Sequence, residues 1–187
     1  SDTKCKYLQR IATPSDERVS EVLWGNDSKT IYYTRTNKGW TNIYKIAADG
    51  SSGESVVYLS QNNVKNLVKN HKGDKFAFID GSRSLMLHDM ASKVSMQLAE
   101  AEFWSFQGYS MSFSSDDSYL AFDGMHMFER DIFLYNFKDG SVKNFTHSAS
   151  MESGAVFSPD GKDMYLLANP TSSSFPRGAR SALYKLP

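Results

Sequence analysis

The stretch "VFSPDGKDMYLL", Val156 to Leu167, reads as the end of an apolar strand, a turn and the start of a second strand. Forty-four residues earlier, "SFSSDDSYLAF" from Ser112 to Phe122 has the same grammar. Further back, "NHKGDKFAF" begins at Asn70 and "GNDSKTIYY" at Gly25, so the phrases anchored on Gly25, Asn70, Ser114 and Ser158 are spaced by 45, 44 and 44 residues. A constant period of this size marks a repeat architecture.

Within each repeat the apolar residues follow strand periodicity. A short run precedes the turn, "EVLW" at Glu21 to Trp24 or "GAVF" at Gly154 to Phe157. After it come "TIYYT", "KFAFI", "YLAFD" or "MYLLA", whose aromatic and aliphatic residues suit a pleated surface. A third run follows, as in "TNIYKI" from Thr41 or "DIFLYN" from Asp131, and a fourth, as in "SVVYLS" from Ser55 or "SVKNFT" from Ser141. Each repeat is thus a four-stranded antiparallel meander. In the last turn Pro159 presets φ, Asp160 can bond back onto the turn backbone, and Gly161 accepts positive φ without steric penalty.

Such meanders in series spell an all-β fold, a β-propeller of four-stranded antiparallel blades with about four blades present. Aromatic residues make up 13% of the chain, enough for side chains such as Trp24, Tyr32, Phe78, Phe113, Phe122 and Phe157 to form cores between blades that no single blade could build. The expected organisation is one domain over 1–187: a lone outer strand at 6–13, blades at 19–61, 63–101 and 108–148, and three strands of a blade at 153–187. This is read as an arc of a larger propeller. The alternative is a closed four-bladed ring in which the N-terminal strand joins the last blade.

Lys plus Arg and Asp plus Glu each total 21, and no run of like charge makes a basic patch. Nucleic-acid binding and membrane insertion are therefore not expected. The single Cys5 allows neither an internal disulfide nor a zinc site of the usual spacing. No stretch reaches the roughly 20 apolar residues of a membrane-spanning helix. The polar start "SDTKCKYLQR" carries no start Met, signal peptide or lipidation motif, so either targeting was removed or the chain is a piece of something longer. Open strand edges and blade faces would invite self-association.

No catalytic, cofactor-binding or metal-binding residue is expected. His71, His88, His126 and His147 fall at unrelated points of the repeat. The sequence has no HExxH, no G-x-S-x-G elbow and no phosphate-binding glycine loop. Three places break the period and are the candidate interaction loops. "NPTSSSFPRGARS", Asn169 to Ser181, offers Phe175, Arg177 and Arg180; "DGMHMFERD", Asp123 to Asp131, reads as a hairpin loop offering Met125, Met127 and Phe128. "AEAEFWSFQGYS", Ala99 to Ser110, joins two blades through Phe103, Trp104 and Phe106.

Blades of the form "FSPDGKDMYLL…LYKL" resemble those of TolB-type, prolyl-oligopeptidase-type and tricorn-type propellers. The tail "SPDGKDMYLLANPTSSSFPRGARSALYKLP", with "SSDDSYLAFDGMHMFERDIFLYNFKDGSVKNFTHSASMESGAVF" before it, resembles the end of the second propeller in tricorn-like serine peptidases of the bacterial type. The likeness is strong from Ser110 to Pro187 and looser from Val19 to Ala101, where "NHKGDK" departs from the "SPDGK" pattern. It implies a large peptidase in which propellers precede mixed, PDZ-like and Ser/His catalytic domains and guide peptides to the active site. None of the family's catalytic motifs lies in the matched stretch. The resemblance therefore implies a non-catalytic scaffold and peptide gate whose partners are other domains of the parent chain and a peptide or protein substrate. It also implies a periplasmic location, with the cytoplasm as the alternative. The second function to weigh is a TolB-like protein-binding module with no attached enzyme.

Overall fold

All four turn phrases close the same backbone bonds. The amides of Ser28, Gly73, Asp117 and Gly161 donate to the carbonyls of Gly25, Asn70, Ser114 and Ser158. The amides of those last four donate in turn to the carbonyls of Thr30, Lys75, Tyr119 and Asp163. The residue that ends each turn is left-handed, with φ of 54° at Ser28, 76° at Gly73, 61° at Asp117 and 71° at Gly161. Each is a four-residue hairpin loop built on a β-turn, with its third residue left-handed. The second turn keeps this geometry despite its different letters. Asn70 Oδ1 accepts the Lys75 amide at 2.9 Å, as Ser114 Oγ accepts that of Tyr119 at 2.9 Å and Ser158 Oγ that of Asp163 at 3.0 Å. Gly25 has no side chain for this bond, and Asp27 accepts the Lys29 and Thr30 amides instead.

The computed structural model describes residues 10–11, 18–101, 110–126, 129–148, 150–170 and 181–187, and every regular element among them is a strand. The first blade comprises β1 (Val19–Trp24), β2 (Thr30–Asn37), β3 (Trp40–Ala47) and β4 (Ser55–Tyr58), paired in that order. The second is β5 (Val64–Lys69), β6 (Lys75–Asp80), β7 (Ser84–Asp89) and β8 (Ser95–Glu100). The third is β9 (Met111–Phe113), β10 (Tyr119–His126), β11 (Glu129–Asn136) and β12 (Val142–Asn144). The fourth contains β13 (Ser150–Phe157), β14 (Met164–Pro170) and β15 (Ala182–Leu186). Pairing within blades is antiparallel, while a parallel contact at Arg130 and Met151 joins β11 to β13 and merges the last two blades into one sheet.

Three cores lie between successive blades, and the period-2 pattern of the second strands explains them. Phe76 and Phe78 face the first blade, packing with Ile43, Leu23 and Tyr32. Their neighbours Ala77 and Ile79 face the third blade, where Met111, Phe113, Leu120 and Phe122 meet them. Ala121 points the other way and packs with Ala155, Met164 and Leu166 of the fourth. Burial on both faces is why these strands read as continuous apolar runs. The fold is the all-β propeller architecture that the repeat implied.

Two expectations are corrected by register. Trp24 was expected in a core, yet it pairs with Ile31 on the face of the first blade that points away from the second, and it is 57% exposed. "DGMHMFERD" is strand through His126 and again from Glu129, with Asp123 opposite Ile132 and Gly124 opposite Asp131, so Met125 stands on β10 and not in the loop between the two strands. Gly124 suits this close pairing: a Cβ there would lie 2.7 Å from the Phe133 ring.

Candidate interaction surfaces

The inner strands are tied across blades by carboxylates that accept backbone amides. Position 66 lies in a bulge of β5, with Asn66 at φ 58°, and Gly154 occupies the equivalent bulge of β13 at φ 71°. A bulge turns an amide out of its ladder and leaves it in need of an acceptor. Glu21 on β1 accepts the amides of Asn66 at 2.7 Å and Leu67 at 3.1 Å. Asp123 on β10 accepts the Gly154 amide at 3.1 Å and, more weakly, the Ser110 amide at 3.5 Å. Asp123 is 1% exposed. Burial pushes its carboxyl up to about 6, opposed by the hydrogen bonds of Gly154 and Ser110 and by the charge of Arg130.

A second set of ties joins the turns. Asp117 accepts the amides of His71 at 2.8 Å and Lys72 at 3.0 Å, while Asn26 Nδ2 donates to the His71 carbonyl at 2.7 Å. Gly73 and Gly161 abut the preceding turn so closely that an added Cβ would sit 2.6 Å from the Asn26 side chain and 2.7 Å from Ser115 Oγ, respectively.

The outward faces of the first and fourth blades are apolar. On the first, Val22, Trp24 and Val56 are exposed beside a buried patch of Tyr33, Tyr44 and Ile46, against which Ile11 packs. Arg35 lies in that patch, paired with Glu54 at 2.9 Å and stacked 4.3 Å from the centre of the Tyr44 ring. Tyr33 donates its hydroxyl to Glu54, and burial raises the pKa of that hydroxyl. On the fourth blade Val156, Leu167 and Leu183 are exposed, and Leu183 is 69% accessible. Among the described residues β15 is an edge strand.

Between the third and fourth blades, Phe145, Thr146, Ser148, Glu152, Leu166 and Tyr184 are among the residues lining a crevice of about 390 Å³.

Of the loop residues singled out from sequence, Met125 is half-buried and packs on the core between the second and third blades. Met127, Phe128, Phe175, Arg177 and Arg180 lie outside the described residues, as do Phe103, Trp104, Phe106 and most of the segment 6–13. Sequence reasoning missed Glu21, Asp123 and Glu152. The first had a legible signal, since Glu21, Asn66, Ser110 and Gly154 stand at one register position, four residues before each turn anchor. His88 Nδ1 lies 2.8 Å from Ser95 Oγ, but the imidazole is buried against the Tyr58 ring, and burial lowers its pKa. This pair is a packed structural contact, with His88 3% exposed. Among the described residues no group of three His, Cys, Asp or Glu could hold a metal ion.

No family model matches the sequence, and no curated protein matches it. Solved structures do. TolB from Acinetobacter baumannii superimposes with a TM-score of 0.70 at 18% identity over 92% of this chain and 42% of its own. The tricorn protease does so with a TM-score of 0.73 at 12% identity over 87% of this chain and 16% of its own. A prolyl endopeptidase gives a TM-score of 0.60 at 15% identity over 90% of this chain and 28% of its own. The chain therefore has a TolB-like β-propeller fold and spans less than half of each of these three structures.

Proposed function

We propose that this chain is the propeller part of a tricorn-like peptidase, a scaffold and peptide gate that performs no chemistry of its own. The observation that carries this reading is the pair of apolar outward faces. Each internal blade face is covered by a neighbour, whereas Val22, Trp24 and Val56 at one end and Val156, Leu167 and Leu183 at the other stand open to solvent. Apolar faces of this kind are normally covered by a partner surface, and in this reading further domains of the parent chain cover them. The periplasm is the compartment that goes with it.

The second reading, a TolB-like module that grips a protein partner with no enzyme attached, is supported by the TolB superposition over 92% of the chain. The parent reading frame separates the two. Continuation past Pro187 into PDZ-like and Ser/His-bearing sequence is expected for the gate, and a stop codon shortly after Pro187 would sink it. A peptide-hydrolysis assay adds the activity test: the parent should cleave and the 187-residue chain should not. Cleavage by the isolated chain would count against both readings.

A further inference from the structure

Two carboxylates are buried where the third and fourth blades meet, and one of them, Glu152, lines the crevice. Asp131 on β11 is 1% exposed and Glu152 on β13 is 6% exposed. They are linked through Ser148, whose amide donates to Asp131 Oδ1 at 3.3 Å and whose hydroxyl donates to Glu152 Oε1 at 2.6 Å. Asn144 Nδ2 satisfies the other oxygen of Asp131 at 2.6 Å. Glu152 Oε2 is left buried with no hydrogen-bond partner. Among the described residues no lysine or arginine forms an ion pair with either carboxylate, and none lines the crevice.

A buried carboxylate with a bare oxygen is costly, because desolvation is not offset by a donor. Native structures seldom tolerate such a group unless something answers it. The crevice lies directly beside this one. Its wall is apolar, formed by Leu166, Ala168 and Leu186, and two aromatic rings, Phe145 and Tyr184, stand partly exposed on its lining. An alkyl stem fits such a wall and a cationic head fits such rings. The terminal torsion of a glutamate is soft, so a small turn of the carboxylate can bring Oε2 toward a donor entering the crevice, and the rotatable Ser148 hydroxyl can follow Oε1.

We propose that this crevice binds a basic side chain, with arginine as its preferred form, and that Glu152 supplies the counter-charge. A guanidinium presents several donors in one plane, so it can answer Oε2 and still stack on Phe145 or Tyr184. The proposal rests on the reading above only for the source of the ligand, a basic residue of a peptide passing the propeller. The site itself follows from Glu152 and its surroundings.

The test is calorimetric titration of the full 187-residue chain with an acetyl-Gly-Arg-Gly amide and with its citrulline analogue, which has nearly the same shape and no charge. The arginine peptide should bind at least about tenfold tighter than the citrulline peptide, the worth of one charge-assisted hydrogen bond. Glu152→Gln should abolish that preference, and Tyr184→Ala should weaken both peptides while leaving the preference in place. Equal affinity for the two peptides, no binding of the arginine peptide at about 5 mM, or a preference that survives in Glu152→Gln would overturn the proposal. The comparison on the unaltered chain stands even if Glu152→Gln does not fold. No hydrolysis is measured, so failure here is distinct from failure of the gate reading.

Discussion

Asp117, at the left-handed position of the third turn, accepts the backbone amide of His71 in the second turn at 2.8 Å, across 46 residues of sequence. It also takes the Lys72 amide and a bond from the Asn70 side chain, so one carboxylate holds three groups of the neighbouring blade. Asp117→Ala should lower stability by about 1–3 kcal/mol, because the orphaned amides lose a charged acceptor. Asp117→Gly should lose about 1 kcal/mol less than the Ala variant, since glycine relieves the left-handed strain that Ala retains. Urea unfolding of the two variants side by side measures the difference, and an equal loss would mean that the backbone conformation at φ 61° carries no strain.

Gly161 should tolerate no side chain. Its φ of 71° disfavours any L residue, and a Cβ would meet Ser115 Oγ at 2.7 Å. Gly161→Ala is expected to cost about 1–2 kcal/mol. Adding Ser115→Ala should recover only part of this, because it removes the contact and leaves the strained backbone. A double-mutant cycle by thermal unfolding reads the coupling.

Glu21 should matter more than an exposed glutamate, because the bulge amides of Asn66 and Leu67 have it as their acceptor. Glu21→Ala should destabilise by about 1–3 kcal/mol, and Glu21→Gln, which keeps one carbonyl acceptor, by less. Amide hydrogen exchange at positions 66 and 67 should quicken in both variants.

Asp123 gives the chain a pH dependence of known sign. Its folded pKa, about 6, lies above the value of about 3.9 for an unfolded aspartate. The folded state therefore holds the proton more tightly, and its contribution to stability is present in full below about pH 4 and falls as pH rises to about 6, by about 2–3 kcal/mol. Asp123→Asn cannot titrate. The stability of the natural chain minus that of this variant should fall between about pH 4 and 6 and level off above. A difference that is flat or rises over this range would contradict the assignment.

Exposed apolar blade faces should make the isolated chain associate. Sedimentation velocity is expected to show concentration-dependent oligomers, and Trp24→Lys with Leu183→Lys should shift them to monomer. Both side chains are more than half exposed, so the melting temperature should change little.

The turn phrase and its spacing were enough to read the blades, because a hairpin loop that needs a left-handed residue and a Ser, Asn or Asp acceptor leaves local chemistry in the sequence. Even "NHKGDK", which departs in letters, keeps the acceptor at Asn70 and the glycine at Gly73. The period-2 runs likewise showed which strands are buried, but not toward which side. Trp24 was misplaced because alternation alone does not say which face of the first blade meets a neighbour. The flanks of "DGMHMFERD", Met125 included, were placed in a loop because polar and flexible residues in a strand look like those of a loop until their partners are known.

What local chemistry dictates, the sequence determined alone: the turns, the strands, the repeat and hence an all-β propeller. Which residues meet across blades was decided by tertiary structure. Glu21 reaches position 66, Asp123 reaches Gly154 and Asp117 reaches His71 over 31 to 46 residues. No short-range pattern encodes such pairings, since they arise only when blades stack and a bulge turns an amide toward the next sheet. The crevice beside Glu152 belongs to the same class: a glutamate inside a strand looks solvated until the neighbouring blade closes over it and leaves one oxygen without a donor.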